Sequence, residues 1–176
     1  MSLAQLHSAQ WAEVRHSVDT LMDSWCGWQG AAMATGTAWG TQYRAVYVPV
    51  RVPRRATVVQ MAYAEGVATG NIDIGIYDAA GTRLVSSGST AVGTDWESVE
   101  VTDTLLPNPG LYYLAFNSDS AAGTFLGTAE TAPTPAARGI LTETLLAVTL
   151  PATASWAVDQ TLGFIPLISA LLVTGF

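Results

Sequence analysis

The chain has 176 residues, of which 49% are hydrophobic and 12% charged, with a formal net charge of -7. That length suits one domain plus an arm and buries a core without disulfides or metal, and the charged share is well below the usual quarter or so. All seven basic residues are arginines, and an acidic chain without a basic stripe argues against phosphate-driven nucleic-acid binding.

The first segment has a helical period. Ser2 and Gln5 match a capping box, and Trp11, Val14, Val18, Leu21, Met22 and Trp25 recur on one stripe. Gly27 is a candidate C-cap. Gly27 to Thr41 is rich in Gly, Ala and Thr and reads as an extended arm carrying Trp28 and Trp39. The expected organisation is therefore a helix and arm over residues 1–40, used for docking, and a β domain over 41–176.

The period then changes to two. Tyr43–Val50 and Ala56–Ala64 read as strands, and proline between them suggests an edge or a bend. Asn71–Asp78 alternates, with Ile72, Ile74 and Ile76 on one face and Asn71, Asp73, Gly75 and Tyr77 on the other. Asp78-Ala79-Ala80-Gly81 predicts a tight turn with positive φ at the glycine, and Thr82–Ser87 is the return strand. Glu97–Thr102 is a strand with Val99 and Val101 inward. Asn108-Pro109-Gly110 is a turn before Leu111–Asn117, where Tyr112, Leu114 and Phe116 share a face. Ser118 to Arg138 reads as a long loop. Thr142–Leu150 and Leu162–Thr174 supply the last strands, joined by Pro151 to Gln160. Roughly eight strands at this spacing predict a mostly β fold, an antiparallel β-sandwich of jelly-roll type.

The residue types do not assemble a catalytic centre. His7 and His16 are nine apart on the expected helix, which is not a zinc spacing, and Cys26 is the sole cysteine. No nucleophile elbow and no glycine-rich phosphate loop is present. Asp73, Asp78, Asp95, Glu97 and Asp103 invite comparison with a glycosidase pair or a calcium site, but their spacing fits turns and solvation better. No catalytic residue, cofactor or metal is expected. Arg51, Arg54 and Arg55 form a small basic cluster suited to a solvated loop or an interfacial ion pair. Leu162 to Phe176 is too short for a bilayer span of ~20 residues, so no membrane insertion is expected. The N-terminus lacks the basic and apolar regions of a signal peptide.

The tryptophans are the most informative side chains. Trp11, Trp25, Trp28 and Trp39 are candidate docking residues, the last two as anchors inserted into a partner. Trp96 and Trp156 lie beside loops and are candidates for stacking on sugar rings, against the plainer role of capping the sandwich.

Three stretches carry a resemblance. They are Tyr43-Arg44-Ala45-Val46-Tyr47-Val48-Pro49-Val50 with Ala56-Thr57-Val58, then Gly70-Asn71-Ile72-Asp73-Ile74-Gly75-Ile76-Tyr77-Asp78-Ala79-Ala80-Gly81-Thr82-Arg83-Leu84, and Pro109-Gly110-Leu111-Tyr112-Tyr113-Leu114-Ala115. Together they resemble the jelly-roll domains of bacteriophage tail-fibre, head-fibre and capsid-decoration proteins. The resemblance spans about residues 43–117, and similar hairpins occur in carbohydrate-binding sandwiches. It implies a virion structural protein, made in the host cytoplasm and displayed on the capsid or tail surface. It would be a homotrimer contacting other virion proteins through apolar surfaces. Alternatives are a module that binds cell-surface glycan and, behind it, a polysaccharide depolymerase.

Overall fold

The computed structural model describes residues 20–23, 33–94, 96–129, 132 and 134–173. The first of two antiparallel sheets holds β1 (Thr20–Asp23), β2 (Met33–Ala38), β4 (Ala56–Val67), β8 (Trp96–Leu106), β10 (Thr124–Ala129), β13 (Phe164–Pro166) and β14 (Ile168–Val173). Its order is β1-β14-β4-β10-β13, with β8 on the other side of β4 and β2 on β10. The second sheet holds β3 (Arg44–Val52), β5 (Asn71–Asp78), β6 (Arg83–Ser86), β7 (Thr90–Ala91), β9 (Gly110–Ser118), β11 (Leu141–Thr144) and β12 (Ala157–Val158). Its order is β12-β11-β3-β9-β5-β6, with β7 on β5. Among the described residues a short helix, α1 (Thr134–Ala137), precedes β11.

The main core lies between the sheets. Val46, Val48, Val50 and Val52 of β3, Ile72, Ile74 and Ile76 of β5, and Tyr112, Leu114 and Phe116 of β9 face Val58, Met61 and Tyr63 of β4 and Ile168, Ala170 and Leu172 of β14. The period-two pattern predicts these inward faces. Val99 and Val101 of β8 pack on the same core, as expected. The β5–β6 turn also follows its sequence. Asp78 Oδ1 accepts hydrogen bonds from the amides of Ala80 (2.9 Å) and Thr82 (2.8 Å), and Gly81 has φ +86°. Pro49 sits in β3 past the end of β11, which pairs only with Arg44–Tyr47, so its missing N–H removes no bond to that neighbour.

Several expectations need correction. Residues 20–23, placed by periodicity within the N-terminal helix, form β1, paired with Ser169–Leu172 of β14. The rest of that helix lies outside the described residues, as do Trp11, Trp25, Trp28, His7, His16 and Cys26. Over Thr20–Asp23 the flank of β14 supplies the backbone partners. Met33–Ala38, read as part of the arm, is β2 on β10, so both strands join the first sheet from before residue 41. Ser118 to Arg138, read as a loop, contains β10 and α1. Its small residues are a packing requirement: a Cβ on Gly127 would lie 2.0 Å from the Ile165 carbonyl oxygen.

The largest departure is at Thr142–Leu150. Only Leu141–Thr144 is strand, and the following residues cross the outer face of the second sheet as an irregular strap. Asp73, expected on a solvated face, is fully buried and holds the strap down. Its carboxylate accepts the Ser86 hydroxyl (2.7 Å), the Ser87 hydroxyl (3.2 Å) and the Leu150 amide (2.8 Å). Asn117, opposite Asp73 on β9, donates to the carbonyls of Ala147 (3.0 Å) and Val148 (2.7 Å). Arg83 donates to the Leu150 carbonyl, and Tyr77 to that of Pro151 (2.5 Å). Gly75 makes room for the strap: a Cβ there would meet the Val85 carbonyl oxygen at 2.6 Å and Leu150 at 3.1 Å. Asp73→Ala would leave the buried Leu150 amide and the half-buried Ser86 hydroxyl without their acceptor and should cost about 3 kcal/mol in denaturant unfolding. A change within the scatter of surface substitutions would show that the strap does not depend on this carboxylate.

Candidate functional site

The strap carries an aromatic group onto the second sheet. Tyr47 of β3, Tyr77 of β5 and Tyr113 of β9 point outward, away from the main core. Trp156 covers them. Its ring centroid is 5.1 Å from that of Tyr47, 6.2 Å from Tyr77 and 4.6 Å from Tyr113. Tyr47 and Tyr77 meet edge to face at 5.2 Å. Such tilted contacts set the negative face of one ring against the positive edge of another. Tyr47 and Tyr77 are fully buried, whereas Tyr113 and Trp156 keep part of their surface in water.

The hydroxyls of the buried pair are fixed as donors. Tyr47 donates to Glu143 Oε2 at 2.9 Å, and Tyr77 to the strap carbonyl of Pro151. Burial pushes the Tyr47 hydroxyl well above its ordinary pKa, and neighbouring Tyr77 and Glu143 push the same way. Burial also raises Tyr77, with Arg83 opposing it. Both remain neutral at physiological pH. Tyr47 and Tyr77 therefore present uncharged rings beneath Trp156.

Trp96 occupies a different place. It is half-buried on the outer face of the first sheet, against Ala62, Ala64, Leu126, Leu167 and Leu171. The two candidate sugar-stacking tryptophans are thus on opposite faces of the molecule and do not form one platform. Trp39, expected to anchor a partner, is 7% exposed and packs edge-on against Phe116 (5.1 Å) and Phe125 (5.5 Å) in the chain's own core. The amide of Trp39 donates to the Gly123 carbonyl at 2.9 Å, which draws the ring inward as β2 joins the sheet.

The acidic residues also separate. Asp73 anchors the strap, Asp78 closes the β5–β6 turn, Glu97 accepts the Thr94 amide at 3.0 Å, and Asp103 is exposed on β8. Asp95 lies outside the described residues. No group of three or more His, Cys, Asp or Glu among the described residues could hold a metal ion. Arg51, Arg54 and Arg55 are exposed around the β3–β4 connection. No helix among the described residues is long and apolar enough to cross a membrane. The tyrosine layer gave no signal of its own in the sequence. Its only trace was the alternation of Tyr47, Tyr77 and Tyr113 opposite the apolar faces.

Trp156→Ala should uncover the layer and destabilise the fold by roughly 2 kcal/mol, less than a fully buried tryptophan because the ring is half in water. Denaturant unfolding measures this, and an unchanged midpoint would mean that the ring only rests on the surface. Comparison with known proteins finds no matching family model, no matching curated protein and no matching solved structure.

Proposed function

We propose that this chain is a non-enzymatic virion structural domain, a jelly-roll-like β-sandwich displayed on a phage capsid or tail. The observation that carries the reading is where the resembling segments fall. Tyr43–Val50, Gly70–Leu84 and Pro109–Ala115 supply β3, β5–β6 and β9, which are consecutive neighbours β3-β9-β5-β6 in one sheet. Two antiparallel sheets facing each other across a shared core support the sandwich architecture. Val67, Leu105, Leu111, Leu146 and Val158 are exposed large apolar side chains, as contacts between copies would require. Light scattering after size exclusion tests the reading on the full-length chain. A stable trimer is the expected mass. A strict monomer at high concentration would overturn assembly through its own apolar surface.

A second reading rests on the half-exposed Trp156 and Tyr113, whose paired rings suit the apolar face of a sugar. Glycan binding lost in Trp156→Ala and kept in Trp96→Ala would support it, since the two residues lie on opposite faces. Binding that survives both changes, or no binding by the wild type, would exclude that surface.

A further inference from the structure

Two carboxylates are fully buried among the described residues, and they are treated oppositely. Asp73 is surrounded by donors. Glu65 is 1% exposed, and neither of its oxygens has a hydrogen-bond partner. An unpaired buried carboxylate is costly when ionised and far less so when protonated.

Its position gives the cost a direction. Glu65 follows Met61 and Tyr63 on the inward face of β4, at the point where β4 leaves β14 and takes up β10. The last β14 pair is Tyr63 with Ile168, and Glu65 then stands opposite Phe125. On the other flank of β10, Phe125 pairs with Thr37 and Thr124 with Ala38 of β2. Trp39 rests on Phe125, and its indole nitrogen is likewise buried without a partner, as is the Thr124 hydroxyl. β2 also touches β4 directly: a Cβ on Gly66 would come within 3.0 Å of Gly36 Cα and 2.6 Å of Thr124 Oγ1. The carboxylate thus lies beneath the junction that fastens β2 and Trp39 to the rest of the chain.

Among the described residues of the strands around it, no cation answers it. β2, β10 and β14 contain no titratable residue. β4 offers the Tyr63 hydroxyl, which accepts the Gly93 amide at 3.1 Å. β8 offers Glu97, which stands opposite Tyr63 and repels a charge on Glu65. Burial, with Glu97 adding to it, raises Glu65 to about 7, while the nearby Thr69 amide opposes the shift without completing an aligned hydrogen bond.

We propose that Glu65 is a protonation-controlled latch: its neutral form lets β10 hold β2 and Trp39, and its ionisation loosens them from the first sheet. The sign follows from linkage. The folded pKa lies above the ordinary carboxyl value, so the latch is fully closed below that ordinary value and opens as pH rises through about 7. This inference is independent of the virion reading.

Hydrogen exchange of the full-length chain between pH 5.5 and 8.5, corrected for intrinsic base catalysis, tests it. The amides of Thr37 and Trp39 should lose protection by roughly tenfold or more across that range, while β3, β5 and β9 keep theirs. Glu65→Gln should remain protected throughout, and Glu97→Gln should move the transition to higher pH only if Glu97 were attractive; a shift to higher pH would therefore contradict the repulsion, and a shift to lower pH is expected. Flat protection of β2 in the wild type, a pH response retained in Glu65→Gln, or simultaneous loss in all strands would each overturn the latch. Should Glu65→Gln fail to fold, the direction of the Glu97→Gln shift alone decides.

Discussion

The hydrogen-bonded carboxylate of Asp73 is the constraint on which the second sheet depends. A sheet face normally meets either a core or water, and β5 has a core on one side through Ile72, Ile74 and Ile76. On the other side Asp73 is fully buried, because the strap residues crossing it need their backbone groups satisfied without a partner strand. Asn117, Arg83 and Tyr77 complete the same task. Polar side chains on the outer face replace the ladder that a regular strand would supply. Once the strap is held, Leu150 and Trp156 can cover Ala45, Tyr47, Tyr77 and Ala115, and a second apolar layer forms.

That layering alters the meaning of the low charge. A chain with 12% charged residues suggests a surface hidden by partners. Part of the apolar content is instead hidden by the chain itself. The strap buries one outer face, and Trp96 with Leu126, Leu167 and Leu171 covers part of the other. The apolar C-terminal run is used on both sides: Ile168, Ala170 and Leu172 enter the main core, while Leu167 and Leu171 turn outward under Trp96. Among the described residues the large apolar side chains left exposed are Val67, Leu105, Leu111, Leu146 and Val158. The exposed side of β8 carries Glu100 and Asp103, charges of the kind that discourage edge-to-edge pairing of sheets.

The parts legible in the sequence are those where local chemistry and tertiary structure ask for the same residues. The β5–β6 hairpin is one: alternation, an Asp at the turn and a glycine at positive φ all agree. The β10 strand and the strap were not legible, for opposite reasons. β10 is short and small because Gly127 must admit β13, so its pattern imitates a loop. The strap residues Leu145 to Leu150 are apolar enough to imitate a strand, but the backbone partners of Ala147, Val148 and Leu150 are side chains distant in sequence. Trp39 was misplaced for a third reason. Its neighbours are flexible in composition, and only the pairing of β2 with β10 turns its ring inward. Of the candidate surface, Trp156 was visible as a loop aromatic, whereas the tyrosines that support it were visible only as alternation.

The two buried carboxylates sit in opposite surroundings. Around Asp73, a serine pair and a strap amide stand as donors, so its oxygens are satisfied where they lie. Around Glu65, the described neighbours are aromatic rings, an acidic residue and strands without cations, and the Thr69 amide only partly offsets the cost of a charge. The difference follows the topology. Asp73 lies on β5, paired with Asn117 of β9 on one flank and beside the short edge strands β6 and β7 on the other. Glu65 lies where β4 exchanges one neighbour for another, and the element beyond, β2, is fastened through β10 and Trp39. Under the proposed latch, strain at this handover would be relieved by loosening one edge strand, β2, whereas strain at Asp73 would act on the sheet that carries the strap.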